Sequence, residues 1–357
     1  MKEINDVLRN LVEGNNTPSV QYRFFNKDTI LHSFYHGEAD LAQHRKTDSR
    51  TTYHAYSVTK TFTAIAILQL AQQDKLDINQ SAKSYLSDFP YPAEITIKQL
   101  LTHTAGIPNP IPLSWIHLDA DHVNFDARQF FNGIFATHNK AKAKPNEKFA
   151  YSNLGFVLLG QVIENVSGMR YEDYIREYIL KQLNNDLSEL NFRVADIDRH
   201  AKGYHKKNSF SNLILGLFIN KSQFMDNVEG IWKPFKLNYV NGAAYGGLVG
   251  TPNAFVRYIQ ALLQPQSQII SQTNKQLLFT ENYTNNGKPT GMCISWYTGL
   301  LDGIRYYTHA GGGGGYYCEL RIYPEKGVGS VIMFNRTGMT DERFLDKVDS
   351  LILRLGD

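Results

Sequence analysis

The stretch from Tyr53 to Leu70, Tyr-His-Ala-Tyr-Ser-Val-Thr-Lys-Thr-Phe-Thr-Ala-Ile-Ala-Ile-Leu-Gln-Leu, constrains the fold more than any other part of the chain. Its second half, with Phe62, Ala64, Ile65, Ala66, Ile67, Leu68 and Leu70, leaves almost no polar face and predicts a helix enclosed on most sides. Ser57 then falls at or near the helix N-terminus, where unpaired backbone N–H groups and the positive end of the helix dipole favour a developing negative charge. Lys60 follows at i+3, on the same helical face as the serine. A hydroxyl, an amine that burial can neutralise and a set of N–H donors are the parts of an activated nucleophile. Ser-x-x-Lys occurs once in the chain, and by itself it reads more simply as an N-capping serine beside a solvated lysine. Its meaning rests on the partners that occur elsewhere.

The 357 residues, 42% hydrophobic and 20% charged, are ordinary for a globular protein and ample for a sizeable core. The formal net charge of +3 is small for this length, which gives no reason to expect nucleic acid as a partner. No apolar run reaches the roughly 18 residues needed to span a bilayer, so no membrane span is expected. The N-terminal Met-Lys-Glu-Ile-Asn-Asp-Val-Leu-Arg-Asn is an amphipathic helix pattern with acids in it rather than a signal peptide, which points to the cytoplasm. Cys293 and Cys318 both fall in strand-like stretches and fit reduced core residues better than a disulfide framework. His32 and His36 flank an alternating strand pattern, and with no His-Glu-x-x-His or Cys-x-x-Cys present, neither a metal nor a cofactor is expected.

Along the chain, Ser19 to Phe25 and Thr29 to Tyr35, joined by Asn26-Lys27-Asp28, read as a β-hairpin. From about residue 76 to about 240 the pattern is helical with irregular joins, over Ile97 to Leu101, Phe125 to Phe135, Leu154 to Val166 and Tyr171 to Leu183. Nothing firm is read between Asn184 and Lys236. Thr251-Pro252 opens a helix through Leu263. Strands then dominate, over Met292 to Leu300, Ile304 to His309, Tyr316 to Tyr323 and Val328 to Phe334, with the run Gly311 to Gly315 as one of the turns, before a final helix from Asp341 to Leu355. Sheet elements at both ends with helices between them predict an α+β fold, an antiparallel sheet built from both termini and flanked by helices. Residues 1–75 and 240–357 would supply the sheet region and 76–239 an inserted, mainly helical region, together one catalytic unit.

Two stretches could complete Ser57 and Lys60. Tyr151-Ser152-Asn153 sits where the chain enters an apolar helix. Its phenol could relay a proton and its amide could bind a substrate carbonyl or orient the lysine, although Asn153 could equally cap the helix. His309-Ala310-Gly311, followed by Gly312, ends a strand, and glycines there let the backbone approach a ligand closely. An N–H on that strand could pair with that of Ser57 as an oxyanion hole.

Ser57-Val-Thr-Lys60, Tyr151-Ser-Asn153 and His309-Ala-Gly311, in this order, resemble the three active-site motifs of the serine beta-lactamase and penicillin-binding superfamily. The flanks Ile97 to Ile107, Pro145 to Gly155, Gly246 to Gly250 and Tyr316 to Phe334 resemble the branch that holds class C beta-lactamases, D-alanyl-D-alanine carboxypeptidases and family VIII esterases. The resemblance implies a beta-lactamase/transpeptidase-like fold and a serine hydrolase that acts on a small molecule or short peptide. In it Ser57 is the nucleophile, and Lys60 and Tyr151 share the proton transfers. The N–H groups of Ser57 and Gly312 form the oxyanion hole, and Asn153, His309 and Gly311 contact substrate. Many beta-lactamases carry lysine where this chain has His309, and an imidazole binds a carboxylate less strongly at neutral pH. An esterase or peptidase is therefore expected before a beta-lactamase or an acyltransferase, with a non-catalytic binding protein as the reading from another class. A smaller expectation concerns the apolar run within Asn212 to Asn220, as an acyl pocket, a lid or a core helix.

Overall fold

The computed structural model describes residues 1–337 and 343–354. Their frame is an antiparallel sheet with strands from both ends of the chain: β1 (Ser19–Asn26), β2 (Ile30–Asp40), β3 (Arg45–Lys46), β4 (Tyr297–Leu301), β5 (Ile304–Gly313), β6 (Tyr316–Tyr323) and β7 (Val328–Phe334). Among the described residues the order is β4-β5-β6-β7-β1-β2-β3, so β1 and β7 join the two ends at the centre, with Val20 opposite Phe334 and Asn26 opposite Val328. The principal helices are α1 (Lys2–Glu13), α2 (Thr59–Gln72), α3 (Asn153–Ser167), α4 (Pro252–Leu263) and α5 (Leu345–Leu353).

Alternation along β1 explains the layering. Val20, Tyr22 and Phe24 share one core with Ile4 and Leu8 of α1 and Val348 and Ile352 of α5. Phe25 lies in the other, with Ile259 of α4 and Val331 and Met333 of β7. With helices on both faces, β1 is buried along nearly its whole length. Helix α2 lies within the larger core, where Phe62 stacks on Tyr258 of α4 at 3.9 Å and every residue from Thr59 to Leu68 is buried. Among the described residues no helix is long and apolar enough to cross a membrane.

The hairpin, the apolar helix and the Thr251 cap, whose Oγ1 accepts the Ala254 N–H at 3.2 Å, lie where the sequence pattern puts them. Three expectations are corrected. The first late strand begins at Tyr297, because Ser295 adopts a left-handed φ of 61° that ends any extended run from Met292, and Cys293 therefore lies buried in a loop. Gly311, Gly312 and Gly313 continue β5 opposite Cys318, Tyr317 and Tyr316, leaving only Gly314 and Gly315 for the turn. Small ribbons, Ile116–Leu118 with Asn238–Val240 and Tyr204–Lys206 with Trp232–Pro234, interrupt the helical stretch. The final helix starts at Leu345, and Asp341, Glu342 and Leu355 lie outside the described residues.

A buried polar network fastens α5 to the sheet. Asp349 accepts hydrogen bonds from the hydroxyls of Tyr22 and Tyr323 at 2.8 Å each and from Ser330 at 2.5 Å, and burial raises its pKa. Alanine at position 349 strands three buried hydroxyls, whereas Tyr22→Phe removes one donor from an acceptor that keeps two others. Urea unfolding of Asp349→Ala is expected to show a loss of about 3–5 kcal/mol, against about 1 kcal/mol for Tyr22→Phe. Equal losses in the two variants would remove Asp349 as the hub.

Candidate active site

Ser57 occupies a single 3-10 turn, Tyr56–Val58, that leads directly into α2. Its Oγ lies 3.0 Å from Lys60 Nζ and 2.9 Å from Tyr151 Oη. Lys60 stands one turn further along α2, while Tyr151 comes from the loop before α3. The lysine is fully buried, and its ammonium donates to the Tyr245 carbonyl at 2.7 Å. The rings of Tyr151, Tyr245 and Phe156 lie 5.0, 5.4 and 5.5 Å from Nζ. Burial pushes the amine well below its usual range, toward the neutral form.

With Lys60 charged and Tyr151 protonated, Ser57 Oγ receives two hydrogen bonds and its own proton finds no acceptor within the trio. Loss of one proton from either neighbour reverses one of these bonds and turns that neighbour into a base. The lowered Lys60 pKa favours that state.

β5 forms the opposite wall. A Cβ at Gly311 would stand 2.2 Å from the Ala55 carbonyl oxygen and 2.6 Å from the Ser57 nitrogen, so only glycine lets this strand come so close to the backbone at Ser57. Gly314, at φ 43°, makes room in the same way for the Tyr56 ring, whose hydroxyl would lie 2.0 Å from a Cβ there. Tyr56 itself holds a left-handed φ of 45°, an uncommon conformation for a bulky residue, immediately before Ser57. The backbone of Gly312, the next residue on β5, lines the cleft with Ser57.

His309 lies within β5, not at its end. Its Nδ1 donates to the Ala310 carbonyl at 2.8 Å, which leaves Nε2 as the bare nitrogen, buried and without a hydrogen-bond partner. Burial, with Lys60 nearby, lowers its pKa to about 3, so the ring is neutral at pH 7. Asn153 is not the helix cap. Ser152 takes that position, its Oγ accepting the Gly155 N–H at 3.2 Å, and the Asn153 N–H goes to Asn109 Oδ1 at 3.0 Å. The Asn153 side chain is thereby left for the cleft, with Oδ1 buried and unpartnered. Ser57, Tyr151, Asn153, His309, Gly311 and Gly312 line one cleft, and Lys60 reaches it through Ser57. All seven residues singled out from sequence meet there.

Sequence reasoning gave no role to His103, Tyr245 or Asn109. His103 Nδ1 accepts the Ser152 N–H at 3.1 Å, and its ring lies 4.3 Å from that of Tyr151, fixing the tyrosine from behind. Burial, then the charges of Lys60 and His309, push its pKa well down. The signal was the break after Leu101, where His103 takes a left-handed φ of 54°. Tyr245 acts through a backbone carbonyl, which no side-chain pattern announces.

The family model for Beta-lactamase matches residues 4–353. The chain belongs to the beta-lactamase family. Among relatives, a penicillin-binding protein of Bacillus subtilis (strain 168) is 28% identical over 298 residues, covering 80% of this chain and 61% of its own length. The chain spans about three fifths of the length of the curated relatives it matches. Among solved structures, the octameric penicillin-binding protein homologue of Pyrococcus abyssi matches with a TM-score of 0.80 at 22% identity, covering 100% of this chain and 77% of that one. The D-amino acid amidase of Ochrobactrum anthropi SV3, complexed with L-phenylalanine, matches at 0.76 and 19% identity, covering 99% and 98%. Both establish the beta-lactamase-family fold.

The buried histidines have a measurable consequence. His54 and His309 have pKa values lowered to about 3 by burial, and His103 and His200 are also lowered well below 6.5. The unfolded chain therefore binds more protons than the native one below about pH 6.5, and stability is lost as pH falls from there toward 3. Each such histidine contributes about 1.4 kcal/mol per pH unit inside that window. In urea titrations between pH 6.5 and 4.5, His54→Phe is expected to reduce the slope by about one proton. An unchanged slope would mean that His54 is not held neutral.

Proposed function

We propose that the chain is a serine hydrolase that cleaves an ester or an amide through an acyl-enzyme on Ser57. The observation that carries this reading is the placement of a buried Lys60 amine and the Tyr151 phenol at 3.0 and 2.9 Å from one serine oxygen. In the acylation step Oγ bonds to the substrate carbonyl carbon and the carbonyl π pair moves onto oxygen. The Oγ proton passes to Lys60 or to ionised Tyr151. As the carbonyl re-forms, the bond to the leaving alcohol or amine breaks, and that group takes the proton back through the same pair. Water then repeats the sequence and frees the acid. The N–H groups of Ser57 and Gly312 would hold the oxyanion, Asn153 would bind the substrate beside it, and Gly311 would keep the two walls in contact.

The neutral His309 directs substrate choice. A bare, buried Nε2 accepts a hydrogen bond and repels nothing, but it supplies no cation for a carboxylate. The reading therefore favours esters and short amides over beta-lactams, consistent with likeness to a D-amino acid amidase as well as to a penicillin-binding protein.

Intact-protein mass after treatment with a fluorophosphonate is expected to show one adduct on the wild type and none on Ser57→Ala. The same labelling of Ser57→Ala would remove the nucleophile assignment. Lys60→Arg, which keeps a cation that cannot be neutralised, is expected to slow ester turnover by about 10²–10⁴-fold. His309→Lys is expected to raise the rate of acylation by penicillin relative to that by a neutral ester, and a fall in that ratio would remove His309 from substrate selection.

A further inference from the structure

The helix Phe210–Phe218 carries apolar residues on both sides. Leu215, with Ile219 just beyond the helix, turns inward against Met225 and Phe235. Phe210, Leu213 and Leu217 face outward and are 77%, 66% and 76% exposed. Their i, i+3, i+7 spacing puts them on one face, so this run is neither a core helix nor part of the catalytic cleft lining. Ser209 Oγ caps the helix by accepting the Asn212 N–H at 3.1 Å, and Leu113 packs against its inward side. Three large apolar side chains raised on one convex face are unusual for a protein surface.

Charge gathers at the same place. Residues 201–240 hold Lys202, Lys206, Lys207, Lys221, Lys233 and Lys236 against Asp226 and Glu229, a surplus of four in a chain whose net charge is +3. Apart from this segment the protein is close to neutral. Lys206 and Lys207 lie just before the helix, Lys221 just after it, and Lys233 opposite His205 on the ribbon that precedes it. Glu229 is engaged by Lys202 and the Tyr204 hydroxyl, and Lys202 also pairs with Asp40, so the cations around the helix are Lys206, Lys207, Lys221 and Lys233.

We propose that this helix and its collar of lysines dock the protein on an anionic membrane surface. A ridge of apolar side chains enters the boundary between headgroups and acyl chains, while lysines at its base meet lipid phosphates. A groove on a protein partner would match the apolar ridge but would leave the surrounding cations without counter-charge. The turn under the helix leads back through Ile111, itself 58% exposed, to Asn109, which holds the Asn153 N–H.

The full chain is mixed with vesicles of phosphatidylcholine alone, or of phosphatidylcholine and phosphatidylglycerol in equal parts, and the bound fraction is read by flotation. Binding is expected on the anionic vesicles, weakened by high salt, and reduced about tenfold or more in Leu213→Asp/Leu217→Asp and in Lys206→Glu/Lys207→Glu. Circular dichroism and unchanged hydrolysis of a soluble ester would establish that the variants are folded. Equal binding to both vesicle types, binding unaffected by either double variant, or no binding at all would overturn the proposal. Lipid-free self-association abolished by Leu213→Asp/Leu217→Asp, without vesicle binding, would assign the ridge to a second copy of the chain instead.

Discussion

Everything at the centre of this protein follows from placing one amine where water cannot reach it. Lys60 stands on a buried helix, and among the described residues its ammonium meets a serine oxygen and a backbone carbonyl at hydrogen-bond distance. Burial favours the uncharged amine, because a charge there lacks the solvation that water would supply. The cost is borne by the fold, which holds this amine at hydrogen-bond distance from a hydroxyl. Such a site needs a thick core on all sides, which fits the unbroken burial of α2 from Thr59 to Leu68.

The same desolvation sets the character of the groups around it. His309 and His103 are held neutral by burial, reinforced by positive charge at Lys60. The cleft is thus built from uncharged donors and acceptors on a rigid frame, and its selectivity depends on hydrogen-bond direction more than on charge. The far face of the sheet follows the opposite rule. There Arg321, fully buried, pairs with Glu319 at 2.7 Å, and Asp349 collects three hydroxyls, so buried carboxyl groups whose pKa values burial raises are met by donors and tie the last helix down.

Sequence alone carried the strands, the main helices and the seven cleft residues, because period and composition encode burial directly and because the three short motifs are contiguous in the chain. What it missed has a common physical cause. The Tyr245 carbonyl and the Asn109 side chain act through contacts between segments distant in sequence, which no local pattern records. Ser152, not Asn153, caps α3, since two adjacent residues with similar capping ability differ only in backbone angle. The glycine run reads as a turn because glycine signals conformational freedom, whereas Gly311 is there for the opposite reason, an extended strand pressed against another backbone. The helix at Phe210–Phe218 showed its apolarity in sequence but not its direction, which depends on the neighbours that bury only one side of it.

The joining of β1 to β7 sets the order in which competence can arise. Ser57 and Lys60 are synthesised early, Tyr151 later and β5 later still, while the strand that closes the sheet onto β1 ends at Phe334. Pairings of such sequence separation form late and cooperatively. An incomplete chain therefore carries Ser57 and Lys60 without the walls that later enclose them. The cleft is therefore assembled only as the sheet closes, when β5 and the loop before α3 meet Ser57.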